Sequence, residues 1–180
     1  HLIGSVNQHL GTGNWAINRE VYDFRDTYPP DFALTGELAE SWETPDPLTY
    51  IFHIRQGVHY ALDQSSEASR LVNGRELTAD DVVYTFQRNT ALGDFTERPL
   101  KPSVAFNLPW ESIEATDKYT VVIKLKEPPL DALLVLIDDN LAFIHAPEVI
   151  KQYGDVADWR NLVGTGPFML TDWVGGSSIT

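Results

Sequence analysis

The chain has 180 residues, of which 43% are hydrophobic and 22% charged, a composition typical of one packed globular domain and unlike disordered or collagen-like chains. Thirteen Lys and Arg against 26 Asp and Glu give a formal charge of −13, which disfavours binding to nucleic acid or to an anionic membrane surface. The lack of Cys excludes disulfide bonds, thiolate zinc sites and cysteine nucleophiles, and leaves the redox compartment open.

The first half of the chain is predicted to contain a helix, a strand and a polar loop. Apolar residues at helical spacing predict a helix over residues 15–24. Strict alternation between Pro47 and Gly57 predicts a strand over residues 48–55. Its core-facing side chains are Tyr50, Phe52 and Ile54. The stretch DQSSEASR at 63–70 predicts a surface loop between this strand and the next helix.

The second half is predicted to hold a capped helix, a hairpin and two shorter helices. Thr78 followed three residues later by Asp81 is typical of a helix start. Alternating apolar residues on both sides of Thr-Asp-Lys predict a β-hairpin over residues 112–125. Further helices are predicted over residues 130–137 and 147–153. The fold class is therefore mixed α/β of the α+β type, a mixed or antiparallel sheet with flanking helices.

Two glycine-containing motifs are similar to phosphate-binding loops. Residues 11–16, GTGNWA, match G-x-G-x-x-A, but no buried strand precedes them and no acidic strand end follows, so a flexible turn before a helix is the favoured interpretation. Residues 164–167, GTGP, lack the Lys-Ser/Thr pair of a P-loop and indicate a change of chain direction. No nucleotide cofactor is predicted.

The sequence contains no positive signal for catalysis. The five His are scattered without metalloprotease spacing, and no G-x-S-x-G elbow is present. A catalytic pair cannot be chosen among 26 carboxylates without geometry. We therefore predict no catalytic residue, no metal ligand and no cofactor.

The five Trp are the more informative residues, because each offers a large contact area at low entropy cost. Trp42, just before the predicted strand, is interpreted as a packing anchor. Trp15 lies beside the glycines of the opening loop and is the better candidate for a surface that faces a ligand.

Four segments, in this order and spacing, resemble one protein family: ELAESWE at 37–43, YIFHIRQGV at 50–58, NGRELTADDVVYTF at 73–86 and GTGPF at 164–168. They are similar to the extracellular solute-binding proteins of peptide, oligopeptide and nickel ABC importers, the family 5 type. Each motif alone is weak, whereas their order is specific. The resemblance departs from the family pattern at residues 59–72, where this chain has an insertion.

The resemblance implies a substrate-binding component of an ABC importer, which captures peptides or a similar small solute between two lobes and is not an enzyme. Its partners would be the solute and the ABC permease subunits, and it would be an extracytoplasmic monomer, with any lipid anchor upstream. Residues 1–36 are expected to start the first lobe, residues 37–163 to form its small subdomain, and residues 164–180 to return to the main lobe. The second lobe is expected to be absent from this chain.

The predicted ligand-binding residues are Trp15, Phe95, Arg98 and Lys101. The last three lie in the irregular stretch at 90–106, a type of segment that carries binding groups on a rigid scaffold. Arg98 or Lys101 has the charge to meet a peptide carboxylate, although solvated surface charge is the competing interpretation. Two other functions stay open: a protein-interaction or structural module without a small ligand, and a hydrolase.

Overall fold

The computed structural model describes residues 6–25, 29–95, 108–129, 132–138 and 143–180. Over these residues, the chain forms four strands, two α-helices, two strands, two further α-helices and two final strands, in that order. The strands are β1 (Gly11–Gly13), β2 (Leu34–Gly36), β3 (Ala39–Asp46), β4 (Thr49–Ile54), β5 (Trp110–Asp117), β6 (Thr120–Leu125), β7 (Trp173–Val174) and β8 (Ser178–Ile179). The helices are α1 (Glu67–Val72), α2 (Ala79–Thr90), α3 (Ala132–Asp138) and α4 (Pro147–Tyr153).

An antiparallel sheet of four strands, in the order β3-β4-β6-β5, supplies the centre of the core. The predicted alternation in β4 is confirmed, because Tyr50, Phe52 and Ile54 are buried. Phe52 is opposite Trp42 of β3 and Val121 of β6, so its fully buried ring is covered from both neighbouring strands. Trp42 is partly buried against the same core, as predicted for a packing anchor, but it lies within β3 itself.

The predicted hairpin is confirmed as β5 and β6. Val121, Ile123 and Leu125 are fully buried on the face that the alternation assigned to the core. Helix α2 packs on β5, and the rings of Phe86 and Trp110 meet edge to face there with centroids 6.4 Å apart. The hairpin and the helix thus close the core on the side away from β3.

Helix α2 begins where the sequence predicts. Thr78 and Asp81 form a capping box, in which the Asp81 carboxylate accepts a hydrogen bond from the Thr78 N–H at 2.8 Å. The predicted helix at 147–153 is confirmed with Pro147 at its first position and Gly154 as its cap. Helix α3, Ala132–Asp138, overlaps the predicted range 130–137 and ends one residue beyond it.

The predicted helix at 15–24 is wrong, because residues 14–24 form a series of turns. The side chains of Asn14 and Asn18 accept hydrogen bonds from the backbone N–H groups of Ala16 and Glu20, at 3.3 and 2.9 Å. Asn side chains bonded to the backbone two residues on favour turns over helix. Phe24 has φ +55°, a left-handed conformation that also breaks a helix.

The predicted surface loop at 63–70 is only partly correct, because its second half is helix α1. Ser66 caps that helix by accepting a hydrogen bond from the Ser69 N–H at 3.1 Å. The Ser69 side chain is buried; its hydroxyl donates to the Ala61 carbonyl and accepts from the Asp63 N–H, both at 2.8 Å. The segment is therefore held together internally by its own polar groups.

Two glycines mark places where chain segments approach closely. A Cβ at Gly11 would lie 2.4 Å from Ile137 of α3, so packing explains a glycine that the phosphate-loop motif also contained. A Cβ at Gly164 would lie 1.9 Å from the Val6 carbonyl oxygen, and the Gly166 N–H donates to that same oxygen at 2.7 Å.

Among the described helices, none is long and apolar enough to cross a membrane.

Candidate ligand-binding surface

Four aromatic rings cluster in the connection between β1 and β2. Trp15 stacks on Phe24 with centroids 4.6 Å apart and an interplanar angle of 26°. Tyr22 meets the edge of Phe24 at 4.6 Å and of Phe32 at 5.8 Å. Together with Arg19, whose guanidinium carbon lies 4.7 Å from the Phe24 ring centre, these residues are called the aromatic platform.

The platform exists because the connection turns back on itself. The Asn14 N–H donates to the Ala33 carbonyl at 2.6 Å, which ties the start of the connection to its end. The turns held by the Asn14 and Asn18 side chains then reverse the chain. The left-handed backbone of Phe24 places its ring against Trp15. Side-chain turns and one unusual backbone angle thus bring together rings that are nine positions apart in the sequence.

The platform is exposed to an unusual degree for its composition. Trp15 and Phe32 each retain 63% of their accessible surface, and neighbouring Val21 retains 69%. Large apolar groups held at a surface by defined turns are a feature of interaction sites, so this surface is the candidate site. Stacked aromatic rings of this kind suit contact with the apolar parts of a peptide or another organic solute.

The structure places two of the four predicted ligand residues. Trp15 lies on the platform, as a surface that faces a ligand would require. Phe95 lies elsewhere, with its ring against the edge of Tyr84 on α2 at 5.2 Å. Arg98 and Lys101 lie outside the described residues. The described rings of Trp15 and Phe95 therefore belong to two separate aromatic pairs.

Sequence reasoning missed Arg19, Phe24 and Phe32 as members of this surface. Arg19 and Phe24 fall in the segment that was predicted as a helix, where apolar residues at helical spacing indicated packing against the core. Phe32 lies eight residues beyond the end of that segment. The usable signal was the pair Asn14 and Asn18, since Asn that bonds to its local backbone favours turns.

The most elaborate charge network lies away from the platform. Arg75 sits between two carboxylates: it donates to Asp81 at 2.6 and 2.9 Å, and to Glu148 at the first turn of α4. Its guanidinium also lies 5.1 Å from the Tyr60 ring. The ion pair lowers the pKa of Glu148, and hydrogen bonds to both carboxylates raise the pKa of Arg75. The network joins α2 to α4, with Asp81 buried and Arg75 and Glu148 partly exposed.

A second charged group ties the turn after β4 to the hairpin. Glu76 accepts hydrogen bonds from the Gly57 N–H and Lys118, both at 2.7 Å, and from the Tyr119 hydroxyl at 3.0 Å. The Lys118 bond is the largest cause that lowers the pKa of Glu76 to about 2, and the same bond raises the pKa of Lys118 to about 12. In both networks, the perturbed groups serve as structural ties between elements.

A cavity of about 390 Å³ lies between α1 and the segment at 158–171. Its walls are about equally polar and apolar, and the polar side chains include Asp63, Ser69 and Asp158. A shallower hollow, lined in part by Asp31, Trp42 and Tyr50, lies beside β3. Within the described ranges, no three His, Asp or Glu side chains are arranged to hold a metal ion.

The fold places the chain among the periplasmic binding proteins. It matches the DppA protein of Helicobacter pylori, solved in complex with the peptide STSA, with a TM-score of 0.69 and 23% identity over 98% of this chain and 33% of that one. It also matches the MoaA binding protein of A. tumefacien R10, in complex with mannopinic acid, with a TM-score of 0.67 and 25% identity over 99% of this chain and 31% of that one.

Residues 33–180 match the family described as "Bacterial extracellular solute-binding proteins, family 5 Middle", and the chain belongs to this family of solute-binding proteins. It is similar to "Peptide transport periplasmic protein SapA" of Salmonella typhimurium, with 32% identity over 175 residues. That match covers 89% of this chain and 30% of SapA, so the chain spans about a third of the length of the relatives it matches.

Proposed function

We propose that the intact protein is the substrate-binding component of an ABC importer, which captures peptides or a similar small solute and delivers them to a membrane permease. The observation that carries this proposal is the family match over residues 33–180. The similarity to a protein named for periplasmic peptide transport favours peptides as the solute and an extracytoplasmic location. A protein of this type works as a monomer that docks on its permease.

The aromatic platform supplies one wall of the binding site in this proposal. Small-molecule sites enclose about 70–90% of the ligand surface, which a single exposed face cannot do. A second lobe that closes over Trp15 and Phe32 would complete the enclosure and bury both rings. Ligand that contacts both lobes then stabilises the closed form, because it binds that form more tightly than the open one.

The division of the first lobe follows from the same proposal. Residues 1–36, which carry the whole platform, start the main part of the lobe. Residues 37–163 form a small subdomain around the four-stranded sheet, and residues 164–180 return beside Val6. In this proposal, Trp15 faces the cleft. Phe95, Arg98 and Lys101 fall in the range of the subdomain.

Calorimetry on the intact protein with a defined pool of tetrapeptides tests the function. We expect at least one peptide to bind with a dissociation constant of about 1 μM, near −8 kcal/mol, and mass spectrometry of the complex identifies it. The Trp15→Ala variant serves as the site-directed comparison and should bind that peptide more weakly. Failure of every peptide in the pool to bind would refute the peptide proposal.

A further inference from the structure

The hollow beside β3 combines aromatic rings with carboxylates. It has a volume of about 580 Å³ and shares no described lining residue with the aromatic platform. Its buried or partly buried side chains are Trp42, Tyr50 and Leu133, whereas the carboxylates of Asp31 and Asp46 are exposed at its rim. No described residue that lines it is basic. The hollow therefore joins an apolar floor to a negatively charged rim.

The register between β3 and β4 brings the two rings of the hollow together. Trp42 lies opposite Phe52, so Tyr50 is its diagonal neighbour on the same face of the sheet. Diagonal neighbours are within reach of each other when their side chains are aromatic. At the end of β3, the Asp46 carboxylate accepts a hydrogen bond from the Leu48 N–H at 2.8 Å. This bond holds the carboxylate in place at the turn beside the two rings.

Tyr50 brings a polar group without a protein partner to the hollow. The residue is only 8% exposed, and its hydroxyl makes no hydrogen bond to a described residue. The hydroxyl of Tyr60, another buried tyrosine, is sealed from solvent, whereas that of Tyr50 is open to the hollow. Burial raises the pKa of Tyr50, and the nearby Asp31 and Asp46 carboxylates raise it further. Such a hydroxyl is satisfied by water or by a ligand that enters the hollow.

The charge at the hollow favours a positively charged occupant. The pKa of Asp46 is lowered mainly by the Leu48 hydrogen bond, and Lys124 of β6 lowers it further through space. Lys124 does not line the hollow, so the lining side chains that the structure describes offer negative charge alone. A bare metal ion is a poor match, because it needs more oxygen ligands than two carboxylates and walls that include three prolines.

The arrangement of these groups favours a guanidinium attached to an alkyl chain. The Asp31 and Asp46 carboxylates belong to separate segments, and a flat group with five N–H donors can serve both and the Tyr50 oxygen as well. The indole of Trp42 is the type of ring that attracts cations most strongly. An alkyl chain suits the apolar surface that Leu133 and the prolines provide.

We propose that this hollow is a binding site for an organic cation of the alkylguanidinium class. The guanidinium donates to the Asp31 and Asp46 carboxylates and to the Tyr50 hydroxyl oxygen, while the alkyl chain lies against Trp42 and Leu133. The site is independent of the proposed function, because no residue of the aromatic platform takes part in it.

Calorimetry of the intact protein with butylguanidinium chloride tests the site, and butylurea serves as a neutral ligand of similar shape. We expect a dissociation constant of about 1 mM or lower for butylguanidinium, and binding at least about tenfold weaker for butylurea. Asp46→Asn retains the oxygen that accepts from Leu48 but removes the charge, and should weaken butylguanidinium about fivefold. Tyr50→Phe should weaken it about threefold and leave the thermal unfolding midpoint unchanged, because the hydroxyl has no partner in the described fold.

Asp117→Asn is the matched control. Asp117 accepts a hydrogen bond from the Tyr119 N–H at 2.8 Å in the β5–β6 turn, as Asp46 does from Leu48 in the β3–β4 turn. Asp117 does not line the hollow, so this variant should bind butylguanidinium as the wild type does. Equal weakening by Asp46→Asn and Asp117→Asn would mean that the ligand senses only the net charge of the protein, and would overturn the proposal.

Three further results would overturn the site: no binding of butylguanidinium to the wild type, equal binding of butylurea, or wild-type affinity in both Asp46→Asn and Tyr50→Phe. None of them bears on peptide binding, which is measured separately. If the site is upheld, acetyl-arginine amide identifies the source of the cation. Tighter binding than butylguanidinium would indicate an Arg side chain of a polypeptide, and weaker binding a free small molecule.

Discussion

The central sheet and the β1–β2 connection use aromatic side chains in opposite ways. In the sheet, Phe52 and Tyr50 are buried on β4, and the hydrogen bonds between β4 and β6 fix the side chains that lie opposite them. In the connection, Trp15 and Phe32 are held by turns and keep 63% of their surface in solvent. The sheet thus buries its aromatic rings in the core, whereas the connection holds two of its rings largely in solvent.

The largest loss of stability is expected when an aromatic ring is removed from the sheet. Phe52→Ala should lower the free energy of unfolding by about 3–5 kcal/mol, because the cavity left between β3 and β6 cannot collapse. His53→Ala, on the opposite face of the same strand, should cost much less. Chemical denaturation measures both, and an equal loss for the two variants would show that the sheet does not carry the core as described.

The next largest effect is expected at the charge network that joins α2 and α4. Arg75→Met should cost about 3 kcal/mol, since it leaves the buried Asp81 carboxylate without its cation. Arg55→Met is the matched control, because that exposed guanidinium only donates to the Glu37 carbonyl at 3.2 Å. If the two variants unfold at the same denaturant concentration, the network does not hold the helices together.

A smaller effect should appear as a pH dependence. The pKa of Glu76 is lowered to about 2 from a usual value of 4.5, so its bonds stabilise the fold fully above about pH 4.5. That stabilisation is lost as pH falls towards 2, because the unfolded state binds the proton first. Glu76→Gln should therefore show a flatter decline in unfolding temperature over this range than the wild type. Glu40→Gln, an exposed change on β3, should follow the wild-type curve.

The smallest effect on stability is expected at the aromatic platform. Trp15→Ala should change the free energy of unfolding by about 0.5 kcal/mol or less, because the ring is mostly in solvent. Its effect should appear in peptide affinity instead. A loss of stability comparable to that of Phe52→Ala would mean that Trp15 belongs to the core and would erase the contrast between the two regions.

The sheet was predictable because its determinants are local and periodic. Alternation in β4, the Thr78–Asp81 box and Pro147 each act within a few residues, and all three predictions are confirmed. Helix α1 was missed because the polar stretch at 63–70 was interpreted as a loop, although its N-cap Ser66 is a local signal.

The platform could be predicted only in part. Trp15 was identified from its position beside glycines, but residues 15–24 were assigned to a helix because their apolar spacing imitates a helical period. Two features that sequence periodicity does not contain decide the outcome: the side-chain turns at Asn14 and Asn18, and the left-handed angle at Phe24.

The hydrogen bond from the Gly166 N–H to the Val6 carbonyl oxygen brings the two ends of the segment 7–165 side by side. This contact is called the crossing. A segment with adjacent ends can gain or lose material without displacing the chain on either side of it. Residues 59–72, interpreted from the sequence as an insertion, are joined to the crossing by the bond from the Ala61 N–H to the Gly164 carbonyl at 2.9 Å. A change in the length of this segment would therefore leave the paired ends at Val6 and Gly166 in place.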